Sequence, residues 1–168
     1  MDKLVTPDEF RAALGRFASG VTVVTVETAD GGVHGMTANA FCSVSLQPPL
    51  VLVCIDHLAE TYLRVRERGE FGVSVLKEDQ EALSELFADP ERNPDAAYRL
   101  GIRYRKMMKS GTPVLENALA NLDCRVIAAH AAGDHTIFVG EVRDIILGAG
   151  SPLLYFRGRY GLSGAARE

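Results

Sequence analysis

The 168-residue sequence has no tryptophan and only three cysteines. Cys42, Cys54 and Cys124 are far apart, odd in number and outside any C-x-x-C pair. That pattern excludes a disulfide framework and a thiolate zinc site. All three are expected to be buried small apolar residues. No stretch approaches the ~20 apolar residues that span a bilayer. The opening MDKLVTPDEF has no signal-peptide apolar region. Positive charge is in no surplus: 18 Lys and Arg stand against 22 Asp and Glu, for a net charge of -4. Neither duplex nucleic acid nor an anionic membrane is therefore expected as a partner. Repeats, low-complexity runs and long linkers are also missing. One domain over residues 1–168, in the reducing cytoplasm, is the expectation.

The familiar phosphate-binding and hydrolytic motifs are absent too. No G-x-G-x-x-G follows a strand pattern; Gly158, Gly161 and Gly164 have the wrong spacing and no room for a crossover. P-loop, H-E-x-x-H and G-x-S-x-G motifs do not occur. A dinucleotide bound here is not bound in the Rossmann manner. His34, His57 and His130 share no metal-ligand spacing and read as surface or turn residues, so no metal site is expected.

What is present reads as many short strands and few helices. Thr6, Pro7 and Glu9 spell a capping box. Phe10, Ala13, Leu14 and Phe17 follow on one helical face, with Gly20 as the stop. Residues 21–28 are β-branched, Asp30-Gly31-Gly32 gives a turn, and Val33 begins a return strand. Pro48-Pro49 introduces the apolar run 50–55. Helices are expected over 60–68, ending at Gly69, and over 80–88. Strands are expected over 71–76, 122–130, 136–147 and 153–156. Residues 89–95 read as a polar loop. The basic stretch 99–109 reads as a solvated helix or loop, and 96–113 as partly helical. Without βαβ alternation, a mainly β fold follows: an antiparallel barrel with short flanking helices. Apolarity on both sides of 50–55 suggests that a second copy covers the outer face.

Three segments carry candidate chemistry. In Gly35–Ser45, Gly35, Ala38 and Ala40 would let a flat ligand approach the backbone. Thr37, Asn39, Ser43 and Ser45 offer short donors and acceptors. A flavin ring needs that mixture, although a polar strand-to-turn connection has the same composition. In 132–142, His135 follows a Gly-Asp turn and opens an apolar strand. It suits either the mouth of a nicotinamide pocket or a plain hydrogen bond to Asp134. In 152–161, Tyr155, Arg157 and Arg159 alternate on one face of a terminal strand, with Tyr160 pointing the other way. Arginine can pair with phosphate and tyrosine can stack on a ring; a charged strand edge is the alternative.

In order and spacing, these segments resemble the flavin reductase-like family, the small reductase components of two-component flavin-dependent monooxygenases. The resemblance runs from Phe17-Ala-Ser-Gly-Val-Thr-Val-Val-Thr25 through Gly35–Ser45, residues 48–56 and 71–76, to Gly133-Asp134-His135 and 152–160. It implies a split β-barrel homodimer with FMN or FAD near the subunit interface. It further implies NADH or NADPH as reductant and a monooxygenase that receives the reduced flavin. Carried over by position, Met36, Thr37, Ala38, Asn39 and Ser43 would line the flavin. Cys54, Ile55 and Asp56 would meet it through backbone groups. Thr61 would help hold the phosphate, and Phe87 and Ala88 would flank the ring. His135 would position the nicotinamide, with Tyr160 a further candidate there. His57-Leu-Ala-Glu-Thr61 departs from the basic, hydroxyl-rich run common in the family. A non-catalytic flavin carrier on the same barrel, or a pyridoxamine phosphate oxidase, are the other readings.

Overall fold

The computed structural model describes residues 4–91 and 99–162. Helix α1 (Pro7–Leu14) begins as the sequence specifies. The Glu9 amide donates to Thr6 Oγ1 (3.2 Å), and the Thr6 amide donates to Glu9 Oε2 (3.0 Å). It stops at Gly15, well before the expected Gly20. The two-residue strand β1 (Ser19–Gly20) follows.

Seven antiparallel strands form the main sheet. They are β2 (Thr22–Glu27), β3 (Val33–Ala38), β4 (Phe41–Leu46), β5 (Pro49–Asp56), β6 (Glu70–Val75), β9 (Ala120–Ala132) and β10 (His135–Leu147). Their spatial order is β3-β2-β6-β9-β10-β5-β4. The edge strands β3 and β4 are consecutive in the chain, and only Asn39 and Ala40 separate them. A seven-stranded sheet can meet that constraint only by rolling up until its edges are neighbours. The Cys54 amide donates to the Ala40 carbonyl (3.0 Å), extending the β4–β5 ladder up to the seam. Strands β3 and β4 do not pair, so the rolled sheet stays split along this seam.

Two cores lie on either side of β2. Val24, Val26, Val53, Ile55, Phe71 and Phe138 fill the inside. Val21, Val23, Leu76, Phe87, Leu115 and Leu153 form the second core. Burying one such side chain stabilises by about 1.5–3 kcal/mol. Helix α2 (Glu60–Arg68) turns Thr61 and Val65 inward and ends on Gly69, whose φ of 68° suits glycine. Helix α3 (Glu81–Ala88) buries Ser84 and Phe87. Arg143, on β10, reaches the buried Asp123 of β9 (2.8 Å) and Glu70 of β6 (3.0 Å), tying three strands.

Several expectations need correction. Part of the basic stretch is a strand: β7 (Tyr104–Lys106) pairs with β8 (Pro113–Leu115). Lys106 bonds to Glu27 of β2 (2.7 Å), so its charge pins the hairpin to the sheet. The expected polar loop 89–95 and the start of segment 96–113 fall partly on 92–98, outside the described residues. Residues 152–161 are not one strand. Strands β11 (Leu153–Phe156) and β12 (Arg159–Leu162) form a hairpin whose turn, Arg157-Gly158, has φ of 51° and 75°. Tyr155 and Tyr160 are therefore cross-strand partners on one face. Only Cys124 is buried; Cys42 is exposed on the edge strand β4, and Cys54 is half-buried on the outer face of β5. His34 is buried against Thr61 (Nε2 to Oγ1, 2.8 Å) instead of lying at the surface.

Candidate functional site

The seam between β3 and β4 opens onto a groove of about 780 Å³. One wall is the apolar face of the N-terminal segment: Phe10, Leu14 and Phe17. The other is the outer face of β4 and β5, Cys42, Leu52 and Cys54, with Phe41 at its rim, where it also packs against the inner core. Strand alternation explains the second wall. Val51, Val53 and Ile55 point into the core, so Leu52 and Cys54 must point out. Ser19 also lines this groove, and its buried Oγ has no partner among the described residues. Such an orphaned hydroxyl is costly unless a ligand or water completes it.

A pocket of about 170 Å³ adjoins the groove and shares Asn39 with it. Its other lining residues are Val21, Thr37, Ser84, Ala88, Tyr155 and Tyr160. Thr37 Oγ1 donates to the Ser84 carbonyl (2.6 Å), and Ser84 Oγ lies 2.8 Å from Tyr160 Oη. The Tyr155 and Tyr160 rings meet edge-on at 5.4 Å.

The sequence candidates divide by location. Thr37, Asn39, Ala88 and Tyr160 come together at the small pocket, and Cys54 lines the groove beside it. Burial pushes the Cys54 thiol pKa up, and neighbouring Cys42 adds to the shift. Cys54 is thus a neutral thiol facing the groove. Met36 packs against the inner core, and Ala38 is buried. Ser43 is exposed on β4. Ile55 is wholly buried, which leaves only its backbone for outside contacts. The Asp56 carboxylate accepts from the Leu58 amide (2.8 Å). Thr61 is buried with its hydroxyl turned to His34. Phe87 is also core, and its ring fills the space above Gly35: a Cβ there would sit 2.7 Å from Phe87 Cε1. The close approach that Gly35 permits is therefore to Phe87, not to a flat ligand.

His135 stands apart from the small pocket. It opens β10 opposite Asp56, at the tip of the long β9–β10 hairpin. Its Nδ1 lies 2.7 Å from Asp134 Oδ1, and that hydrogen bond holds the Asp134 carboxyl below its usual range. Next to it, the His57 amide donates to the Asp134 carbonyl (3.0 Å), and His57 Nε2 lies 2.9 Å from Thr136 Oγ1. Among the described residues, no group of His, Cys, Asp and Glu is arranged to hold a metal.

Residues 14–162 match the model of the flavin reductase like domain. The chain belongs to the flavin reductase-like family. An NADH-dependent flavin reductase from a Rhodococcus species is 48% identical over 162 residues, covering 95% of this chain and 88% of that protein. A second relative is the reductase component of a 4-nitrophenol 4-monooxygenase/4-nitrocatechol 2-monooxygenase from Rhodococcus opacus. It is 40% identical over 153 residues, covering 91% and 79%. A solved flavin reductase in its native state superposes with a TM-score of 0.86 at 42% identity, covering 94% of this chain and 98% of that one. Within this flavin reductase-like chain, the sequence did not mark the apolar walls Phe10, Leu14, Phe41 and Leu52 as site residues, nor the serines Ser19 and Ser84. Each serine is ordinary in its local pattern, Ala18-Ser19-Gly20 and Leu83-Ser84-Glu85, and nothing there marks it.

Proposed function

We propose that this protein is an NAD(P)H-dependent flavin reductase. It binds FMN or FAD in the seam, reduces it by direct hydride transfer and releases it to a flavin-dependent monooxygenase. The observation that carries the reading is the groove and its small pocket. An isoalloxazine ring is flat and largely apolar, with one polar edge. A long apolar groove ending in Asn39, Thr37 and Tyr160 fits that shape. The orphaned Ser19 hydroxyl fits a ligand that supplies its missing partner.

The flavin supplies the electron-accepting chemistry when bound. The chain's own task is to hold and orient two rings and to exclude water. Phe10, Leu14, Phe17, Phe41 and Leu52 supply apolar walls. Asn39, Thr37 and Tyr160 supply hydrogen bonds at the polar end. His135 is assigned to the nicotinamide carboxamide. Asp134 fixes one ring nitrogen, and the other has no partner among the described residues. The relatives are a reductase that uses NADH and a reductase component of a monooxygenase, which supports the same reductant and the same kind of recipient here.

The reading includes a homodimer in the cytoplasm. Phe10, Leu14 and Phe17 lie on one side of the groove and are all exposed, with Phe17 at 76%. A second copy would cover them. Among the described residues no helix is long and apolar enough to cross a membrane.

The test is NADH and NADPH oxidation by purified protein, with and without added FMN, FAD or riboflavin. Oxidation should rise steeply with flavin. Flavin binding without any coenzyme oxidation would leave a carrier in place of a reductase.

A further inference from the structure

We propose that Ser84 is a positioning residue that fixes the hydrogen-bond polarity of the small pocket, making Tyr160 a donor and Thr37 an acceptor toward the polar edge of the flavin ring. The inference rests on the reading that flavin occupies the seam.

Ser84 is fully buried on α3 and touches the pocket from behind. It holds two of the pocket's polar side chains at once. Its carbonyl accepts the Thr37 hydroxyl proton (2.6 Å), and its own hydroxyl lies 2.8 Å from Tyr160 Oη. Each hydroxyl has one proton, so the pairing decides what remains for a ligand. Thr37 spends its proton on Ser84 and can only accept from the pocket.

The direction of the second bond follows from α3. A helical serine ordinarily back-bonds to the carbonyl four residues earlier. Here that carbonyl, Gln80, already accepts the Leu83 and Ser84 amides, both at 3.1 Å. Ser84 Oγ makes no bond to that carbonyl or to any other among the described residues; Tyr160 Oη is its one partner, so the buried Ser84 proton is assigned to Tyr160. The phenol proton is then free to turn into the pocket. The edge-on contact with Tyr155 restrains the ring that carries it.

The result is a donor and an acceptor side by side in a cavity of about 170 Å³. The pyrimidine edge of a flavin presents the complement: carbonyl oxygens that accept, flanking an N–H that donates. A single buried serine thus decides whether the pocket reads that edge.

The experiment compares Ser84→Ala, Tyr160→Phe and the double variant in the full-length protein. Each is assayed for oxidised-flavin affinity, KM for flavin, KM for NADH, kcat and thermal midpoint. Each single change should raise the flavin KM about 3- to 10-fold, the range for loss of one hydrogen bond. The NADH KM should change by less than the flavin KM in both variants, since the pocket is assigned to the flavin. In the Tyr160→Phe background, Ser84→Ala should raise the flavin KM by far less than it does alone, because both changes remove the same bond. A purely structural serine would lower the thermal midpoint equally in both backgrounds, without separating the two substrates.

Fully multiplicative effects, or an unchanged flavin KM in either single variant, would overturn the inference. A rise confined to the NADH KM would also overturn it, by assigning the pocket to the nicotinamide carboxamide. If Ser84→Ala does not fold, Ser84→Cys, which puts a weak donor in place of the hydroxyl, reads the same bond, and an unchanged flavin KM there would overturn the inference. Absence of both flavin binding and activity in the unaltered protein would sink the reductase reading itself, and the inference with it.

Discussion

At the scale of single residues, His135 separates positioning from chemistry. Hydride transfer removes no proton from the donor carbon, so a strict general base has no task in that step. The contact with Asp134 holds one nitrogen of the ring and leaves the other for a carboxamide. His135→Ala should raise the KM for NAD(P)H or lower kcat/KM by up to about tenfold, the value of one hydrogen bond. Flavin affinity should hardly change, and His135→Asn should recover part of the loss. A drop of orders of magnitude in kcat at saturating coenzyme would point to a direct chemical role. The cysteines show how one residue type divides by place. Burial pushes the Cys124 thiol up to about 12, which makes it inert at neutral pH, whereas Cys42 is exposed on the edge strand β4.

At the scale of elements, α3 is the support of the site. It buries Phe87 against Gly35 of β3, and it sets Ser84 behind Thr37 and Tyr160. Gly35→Ala would drive a methyl group into the Phe87 ring, so α3 or the ring must shift. Overpacking of this kind costs about 1–3 kcal/mol. Urea unfolding should show that loss, and the flavin KM should rise with it, because Ser84 rides on the same helix. Adding Phe87→Leu should restore part of the stability by opening the space; failure to do so would place the strain elsewhere. The capping box of α1 and the Gly69 stop of α2 were legible because each is decided by residues a few positions apart. The β11–β12 turn was not. Arg157 adopts a left-handed φ that its side chain does not favour, and the pairing of Tyr155 with Tyr160 holds it there.

For the whole molecule, the groove is open on the side of α1. Helix α1 buries no residue in its own chain, and Phe10, Leu14 and Phe17 stay exposed. An amphipathic helix with no partner on its apolar face points to a second copy of the chain. Light scattering at micromolar concentration should give twice the chain mass. Leu14→Asp should shift the protein toward monomer and lower flavin affinity, since the same residues line the groove. A fully active monomer in the unaltered protein would overturn the dimer.

The sequence by itself determined the mainly β character, most strands and helices, and the order of segments that marks the family. These follow from alternation, turn residues and caps, all of which act over short distances along the chain. It also singled out Thr37, Asn39 and Tyr160. Only the tertiary structure brought those three to one pocket, because Tyr160 lies on the separate β11–β12 hairpin and is joined to Thr37 through Ser84 of α3. Packing across the fold likewise turned Thr61 and Ile55 inward, set Phe87 on Gly35, and left Cys42 exposed on the edge strand. Ser19 and Ser84 acquired their importance only there. A serine's hydrogen-bond partners are chosen by what packs against it, and that choice is made across the fold.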